Sequence, residues 1–226
     1  MKFRRKANAS DETTGVAAED AGLDAGLDAG LEEGTVDAAA RAGGPHDADD
    51  LPADDVERID LGSLLITPEE GRELRLQVDE TTGDVQAVVL AGQDGALELR
   101  AFAAPRHGDL WGEVRPAIAE DMARQGGEVT EREGRFGPEL LCRMPVTLGD
   151  GTTATQPSRI IGVNGSRWLL RATLLGRPAM EVEDSADWEE TITRVAVRRG
   201  TGAIPVGDVL PVVLPDNARR LDPPTA

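Results

Sequence analysis

Alternation of apolar and polar positions marks the first elements of the chain. In residues 73–101, ELRLQVDETTGDVQAVVLAGQDGALELRA, Leu74, Leu76 and Val78 alternate with polar neighbours, and Leu97, Leu99 and Ala101 do the same. The apolar run VQAVVLA lies between them, and ETTGD and GQDG carry turn-forming residues. Successive strand side chains point to opposite faces, so the pattern predicts a three-stranded antiparallel meander. The period then changes. In residues 109–127, DLWGEVRPAIAEDMARQGG, Leu110, Val114, Ile118 and Met122 recur at every fourth position and Gly126-Gly127 closes the run. That is the stripe of an amphipathic helix. Proline costs about 3 kcal/mol deep inside a helix but is tolerated in the first turn, so Pro116 places the regular start near Glu113.

Between meander and helix, AAPRHGDLWGEV reads as a strand–loop–helix junction. Pro105 ends the strand, Gly108 permits the turn, Asp109 can cap the first free helix amides, and Trp111 anchors the helix to the sheet. Further on, EVTEREG and PELLCRMPVTL are strands flanking the GRFGP turn. The sequence SRIIGVNGSRWLLRATLL predicts a hairpin. Asn164-Gly165 suits a type I′ turn, because both central residues of that turn need positive φ. A two-residue loop there pairs Val163 with Ser166, Ile161 with Trp168 and Ile160 with Leu169. DSADWEETITRVAVRR predicts a second helix, capped by Asp184 or Ser185, with Trp188, Ile192 and Val195 on one face. DVLPVVLP is a short extended segment between prolines. These elements add up to an α+β fold, a mostly antiparallel sheet of about six to seven strands covered by two main helices. Its outline resembles the Mog1/PsbP-like sandwiches, and fold by itself carries no function.

Composition changes the picture at the ends of the chain. Residues 1–60 hold 16 acids and 6 bases, a net charge of -10 out of the chain's -18. A segment this polar cannot bury enough apolar area to offset its ordering entropy, so residues 1–58 are expected to form a disordered acidic arm. Its repeat AGLDAGLDAGLEEG spaces Leu23, Leu27 and Leu31 four apart, as in a transient helix, but the interleaved glycines oppose one. The expected single α+β domain spans residues 59–215, and residues 216–226 a loose tail. The basic opening MKFRRK is followed by no apolar stretch of a secretory signal, and no run approaches the roughly 18 apolar residues of a membrane span. With Cys142 as the one cysteine, the expectation is a soluble, cytoplasmic protein without a membrane partner.

The stretches RIDLGSL, LELRAFAAPRHGDLWGEVRPAIAEDMARQGG, GPELLCRMPV, IIGVNGSRWLLRATLLG and LPVVLP together resemble an actinobacterial family of proteins of unknown function, DUF3710. The resemblance runs from about Arg58 to Pro215 and excludes the acidic arm. It implies no activity, cofactor or catalytic residue. Pro116 departs from the ordinary helix former expected at that point.

The chemistry of the side chains narrows the classes further. Triad catalysis needs a histidine placed by the fold. His46 lies in the arm, and His107 reads as a solvated loop residue. No G-x-S-x-G elbow, P-loop or dinucleotide fingerprint occurs, and four Cys/His ligands for a structural zinc are not available. Cys142 within ELLCRMP reads as a buried thiol. No catalytic residue, metal site or cofactor is therefore assigned. The overall charge and the six aromatic residues argue against nucleic-acid binding.

From Cys142 to Ala179, however, Arg143, Arg159, Arg167, Arg171 and Arg177 face one acid, Asp150. With the two-residue turn, Arg167 and Arg171 share a strand face and Arg159 lies on the other. One reading is stem packing with ion pairs to neighbouring strands; the other is a positive surface for a carboxylate, a phosphate or an acidic segment. Arg167, Arg171, Glu113 and Arg115 are the candidate residues for binding an anion or a partner. The expected function is a non-enzymatic cytoplasmic binding or adaptor module whose partner is a protein. The alternative is a small-anion or nucleotide-binding domain, with or without enzymatic activity, using the arginine-lined surface. The acidic arm could also lie across these arginines and compete with an external anion.

Overall fold

The meander expected from alternation forms three neighbouring strands of a seven-stranded sheet. The structure, a computed structural model, describes residues 43–215 except 80, 148, 150, 183 and 184. The leucine repeat, most of the acidic arm and the C-terminal tail lie outside the described residues. In chain order the elements are β1 (His46–Asp47), a 3-10 turn (Ala48–Asp50), β2 (Ile59–Asp60), β3 (Leu64–Ile66), β4 (Glu73–Val78), β5 (Val85–Ala91), β6 (Gly95–Ala103) and α1 (Leu110–Arg124). There follow β7 (Glu128–Gly134), β8 (Gly137–Thr147), β9 (Thr153–Asn164), β10 (Trp168–Gly176), α2 (Arg177–Met180), α3 (Ala186–Thr193) and β11 (Ala196–Val197). The large sheet runs β4-β5-β6-β10-β9-β8-β7, antiparallel throughout. A second sheet, β1-β11-β3-β2, is built from short strands, and its β1–β11 pair is parallel. Its first strand lies ahead of the expected domain start at Ile59.

Each face of the large sheet has its own apolar cluster. On the inner face Leu97, Leu99, Ile161, Trp168, Leu170 and Leu174 pack with Leu64 and Ile66 of β3, Trp188 and Ile192 of α3, and Val197 of β11. On the outer face Leu140, Cys142, Ile160 and Leu169 pack with Leu110 and Trp111 of α1. The two helices thus cover opposite faces, and a small sheet shares the inner one. The second helix is shorter than its sequence pattern. It ends at Thr193, because Val195, Ala196 and Val197 are all buried, and three consecutive buried residues suit an extended strand between layers better than one helix stripe.

Two local expectations are corrected. First, α1 begins at Leu110, not near Glu113, and carries Pro116 in its interior. The Asp109 carboxylate accepts the Gly112 N–H at 2.7 Å and the Asn164 side-chain oxygen accepts the Trp111 N–H at 3.1 Å, so two orphan amides are satisfied at the early start. Second, the β9–β10 turn lies two residues downstream of Asn164-Gly165. Asn164 pairs with Leu169, Ile161 with Ala172 and Ile160 with Thr173. Asn164 is committed to the helix cap, donating also to Asp109 at 2.7 Å. Gly165 lies under the Trp168 indole, where a Cβ would come within 2.0 Å of the ring. The turn passes instead to Ser166-Arg167, with Arg167 at φ 68°. Moving a turn by two residues preserves which side chains face which way, so Arg159 and Arg171 still occupy opposite faces.

Candidate functional site: the arginines of the large sheet

The five arginines of the 142–179 stretch separate into distinct environments. Arg159, on the inner face, is fully buried. Its Nε and one terminal nitrogen donate to the two oxygens of Glu139, each at 2.8 Å. It also donates to Ser185 Oγ at 2.8 Å and to Glu189 Oε1 at 2.5 Å. Glu139 is likewise fully buried, and Arg132 reaches it from β7 at 3.1 Å. The cluster ties β8 and β9 to the N-terminus of α3. Desolvation is the largest single influence on the Arg159 guanidinium and acts to lower its pKa, but the hydrogen bonds to Glu139 and Glu189 outweigh it and the net direction is upward. Two cations meet two anions here, so the charge closes on itself and leaves nothing for a ligand. Ser185, the expected cap, spends its hydroxyl on Val182 O and Arg159 and makes no side-chain cap bond.

Arg171 lies on the outer face and differs in kind. It is the cross-strand partner of Arg100 on β6, so two like charges stand directly opposite each other. The Arg171 guanidinium sits over the Phe102 ring, 5.3 Å from its centroid. It is half-buried, and among the described residues no hydrogen-bond acceptor or ion-pair partner reaches it. Burial lowers its pKa from the ordinary arginine value, the charge of Arg100 lowers it further, and Glu98 opposes both. Glu98 is within 3.0 Å of Arg100 Nε, but that nitrogen makes no hydrogen bond. Gly162 of β9 is the other cross-strand neighbour of Arg171. A Cβ at Gly162 would lie 2.1 Å from Trp111, so the indole of α1 occupies the space beside the arginine row. Trp111 is fixed there by an Nε1–H bond to Pro138 O at 2.6 Å.

The remaining candidates do not join Arg171 in one site. Arg167, expected on the same strand face, sits exposed in the turn. It borders an open groove of about 520 Å³ with Arg199 and residues 201–205, where Arg199 is spent on the carbonyls of Gly202 and Ile204. Arg115 pairs with Glu131 at 2.9 Å and lies near the Trp111 ring. Glu113 is exposed on α1. Of the others, Arg143 is exposed on β8, and Arg177 pairs with Asp94, whose carboxyl it holds below the usual range. His107 is exposed in the loop before α1. Cys142 is buried, and that burial pushes its thiol pKa up. Among the described residues no group of three His, Cys, Asp or Glu side chains is disposed to hold a metal, and no helix is long and apolar enough to cross a membrane.

Arg100, Glu98 and Phe102 were not distinguishable in the sequence. They belong to the alternating strand LELRAFA, far from the arginine-rich stretch, and only the β6–β10 pairing brings Arg100 opposite Arg171.

Comparison with known proteins adds a family. The model of a family described as a protein of unknown function, DUF3710, matches residues 44–220. No curated protein matches the sequence. Among solved structures, the solution structure of the cyanobacterial PsbP protein of Synechocystis sp. PCC 6803 aligns with 13% identity and a TM-score of 0.37, over 62% of this chain and 91% of that one. A crystal structure from Bacteroides thetaiotaomicron VPI-5482 aligns with 12% identity and a TM-score of 0.33, over 63% of this chain and 47% of that one. At these values the likeness extends to no site or activity.

Proposed function

Because the chain belongs to the DUF3710 family, which brings no assigned activity, we propose from the side chains themselves that it is a non-enzymatic binding or adaptor module of the cytoplasm. Its partner is a protein that presents acidic groups to the outer face of the large sheet. The observation that carries this reading is Arg171, a half-buried guanidinium with no carboxylate in reach, in a chain of net charge -18. Other withdrawn arginines are satisfied within the chain: Arg72 has Glu69 and Asp187, Arg115 has Glu131, the fully buried Arg159 has Glu139 and Glu189, and Arg199 has the carbonyls of Gly202 and Ile204. Leaving one unpaired at the surface fits a cation reserved for a partner. The row of Arg100 and Arg171 beside α1, both partly exposed, supports this reading, and the closed charge of the Arg159 cluster gives it no competitor on the inner face.

The test is capture from native cytosol by the full-length chain, with the full-length Arg171→Met chain in parallel. Mass spectrometry identifies retained proteins and small molecules. A protein recovered by the wild type and lost from the variant is the expected result. A nucleotide or other small anion retained without any protein would replace this reading with the ligand-binding alternative.

A further inference from the structure

Resting on that reading, we infer that Arg100 and Arg171 together form a subsite for one carboxylate of an acidic peptide segment. Residues in register on adjacent antiparallel strands carry their Cβ atoms about 5 Å apart, so the two guanidinium groups leave the same face side by side. Like charges placed so are unfavourable until an anion bridges them. The face there is open on one side, because α1 packs over the β7–β9 half of the sheet, and walled on the other by the Trp111 indole at Gly162. Phe102, two residues along β6 from Arg100 and on the same face, holds the Arg171 guanidinium over its ring, 5.3 Å from the centroid, and leaves its N–H groups free for a carboxylate.

Glu98 argues for the class of ligand. It already places a carboxylate within 3.0 Å of Arg100, showing that this group fits the row. It also leaves Arg100 Nε without a hydrogen bond and does not come within ion-pair distance of Arg171. Two guanidinium charges and one internal carboxylate leave one positive charge to satisfy. That balance matches a monoanion. A dianionic phosphate seated next to Glu98 meets about twice the repulsion that a single side-chain carboxylate does.

The experiment titrates the full-length protein by calorimetry with two probes, hexaglutamate and inorganic phosphate, at low and at physiological salt. Arg171→Met should weaken hexaglutamate binding at least tenfold. Arg143→Met, which removes an exposed arginine elsewhere on the sheet, should leave it unchanged. Glu98→Gln, which removes the internal competitor, should tighten it several-fold, and phosphate should bind more weakly than the peptide throughout. Thermal melting of each variant checks that the fold is intact. Equal losses in the Arg171 and Arg143 variants would mean diffuse charge attraction and overturn the subsite. So would unchanged affinity in Arg171→Met, weaker binding in Glu98→Gln, or preferential binding of phosphate. The two readings separate cleanly. A captured protein that survives Arg171→Met leaves the binding module standing without this subsite, whereas hexaglutamate binding with no captured protein does the reverse.

Discussion

Replacing Arg159 by Met removes the cation at the centre of the inner-face cluster while keeping most of the side chain's apolar stem. Four hydrogen bonds vanish: two to Glu139, one to Ser185 and one to Glu189. Glu189 retains 14% side-chain exposure and can turn toward water, so its loss costs little. Glu139 has no exposure and keeps only Arg132, at 3.1 Å. An uncompensated buried charge of this kind costs about 3–5 kcal/mol. For a domain of this size, 1 kcal/mol moves the melting temperature by about 2–4 °C, so the variant should melt on the order of 10 °C below wild type. Urea denaturation at pH 7, monitored by tryptophan fluorescence, reads the same difference as a lower midpoint at unchanged slope. The double variant Arg159→Met/Glu139→Met should recover most of the loss, because exchanging a buried ion pair for apolar side chains is often neutral or stabilising. A single variant within about 1 kcal/mol of wild type, or a double variant as unstable as the single, would refute the assignment of Arg159 as the counter-charge that makes Glu139 tolerable in the core.

Three further outcomes follow from other contacts. Gly162→Ala should destabilise by about 2–4 kcal/mol, because the added methyl overlaps the Trp111 ring, and calorimetric melting measures it. Cys142 should resist a thiol reagent such as Ellman's at neutral pH and react in full once the chain is unfolded in urea, since burial both shields the sulfur and holds it protonated; fast labelling of the folded protein would contradict this. The Asp60 carboxyl is held below its ordinary pKa, chiefly by the Arg198 guanidinium, so its contribution is present above the usual carboxylate range and is lost as pH falls through the lowered value. Asp60→Asn should therefore melt slightly below wild type at pH 7, by less than about 1 kcal/mol for so exposed a pair, and the gap should close as pH falls through the lowered carboxyl pKa; a gap that widens in acid would reverse the sign of the argument.

Much of the secondary structure was legible because it is written in local periodicity. The alternation in residues 73–101 needs no distant partner to be read, and the meander β4–β5–β6 forms where that pattern lies. The four-residue recurrence of Leu110, Val114, Ile118 and Met122 likewise locates α1, and the buried thiol of Cys142 follows from its apolar strand. The α+β class came from the same local sum, since strands with one apolar face require cover.

What the tertiary structure decided depends on contacts between residues distant in sequence. The turn between β9 and β10 followed local preference only until Asn164 was claimed by the α1 cap, a contact from outside the hairpin, and Gly165 by the ring of Trp168 at the start of β10. The end of the second helix was set by the inner layer, which takes Ala196 and Val197 as a strand of the small sheet. The roles of the arginines divided in the same way. Sequence alone determined that positive charge gathers between Cys142 and Ala179 and that Arg159 and Arg171 point to opposite faces, because strand alternation fixes parity. Only the packed structure gave Arg159 its buried carboxylates and left Arg171 facing Arg100. An ion pair is a matter of ångströms between side chains from different strands, and those distances are set by sheet order and register, which local pattern does not contain.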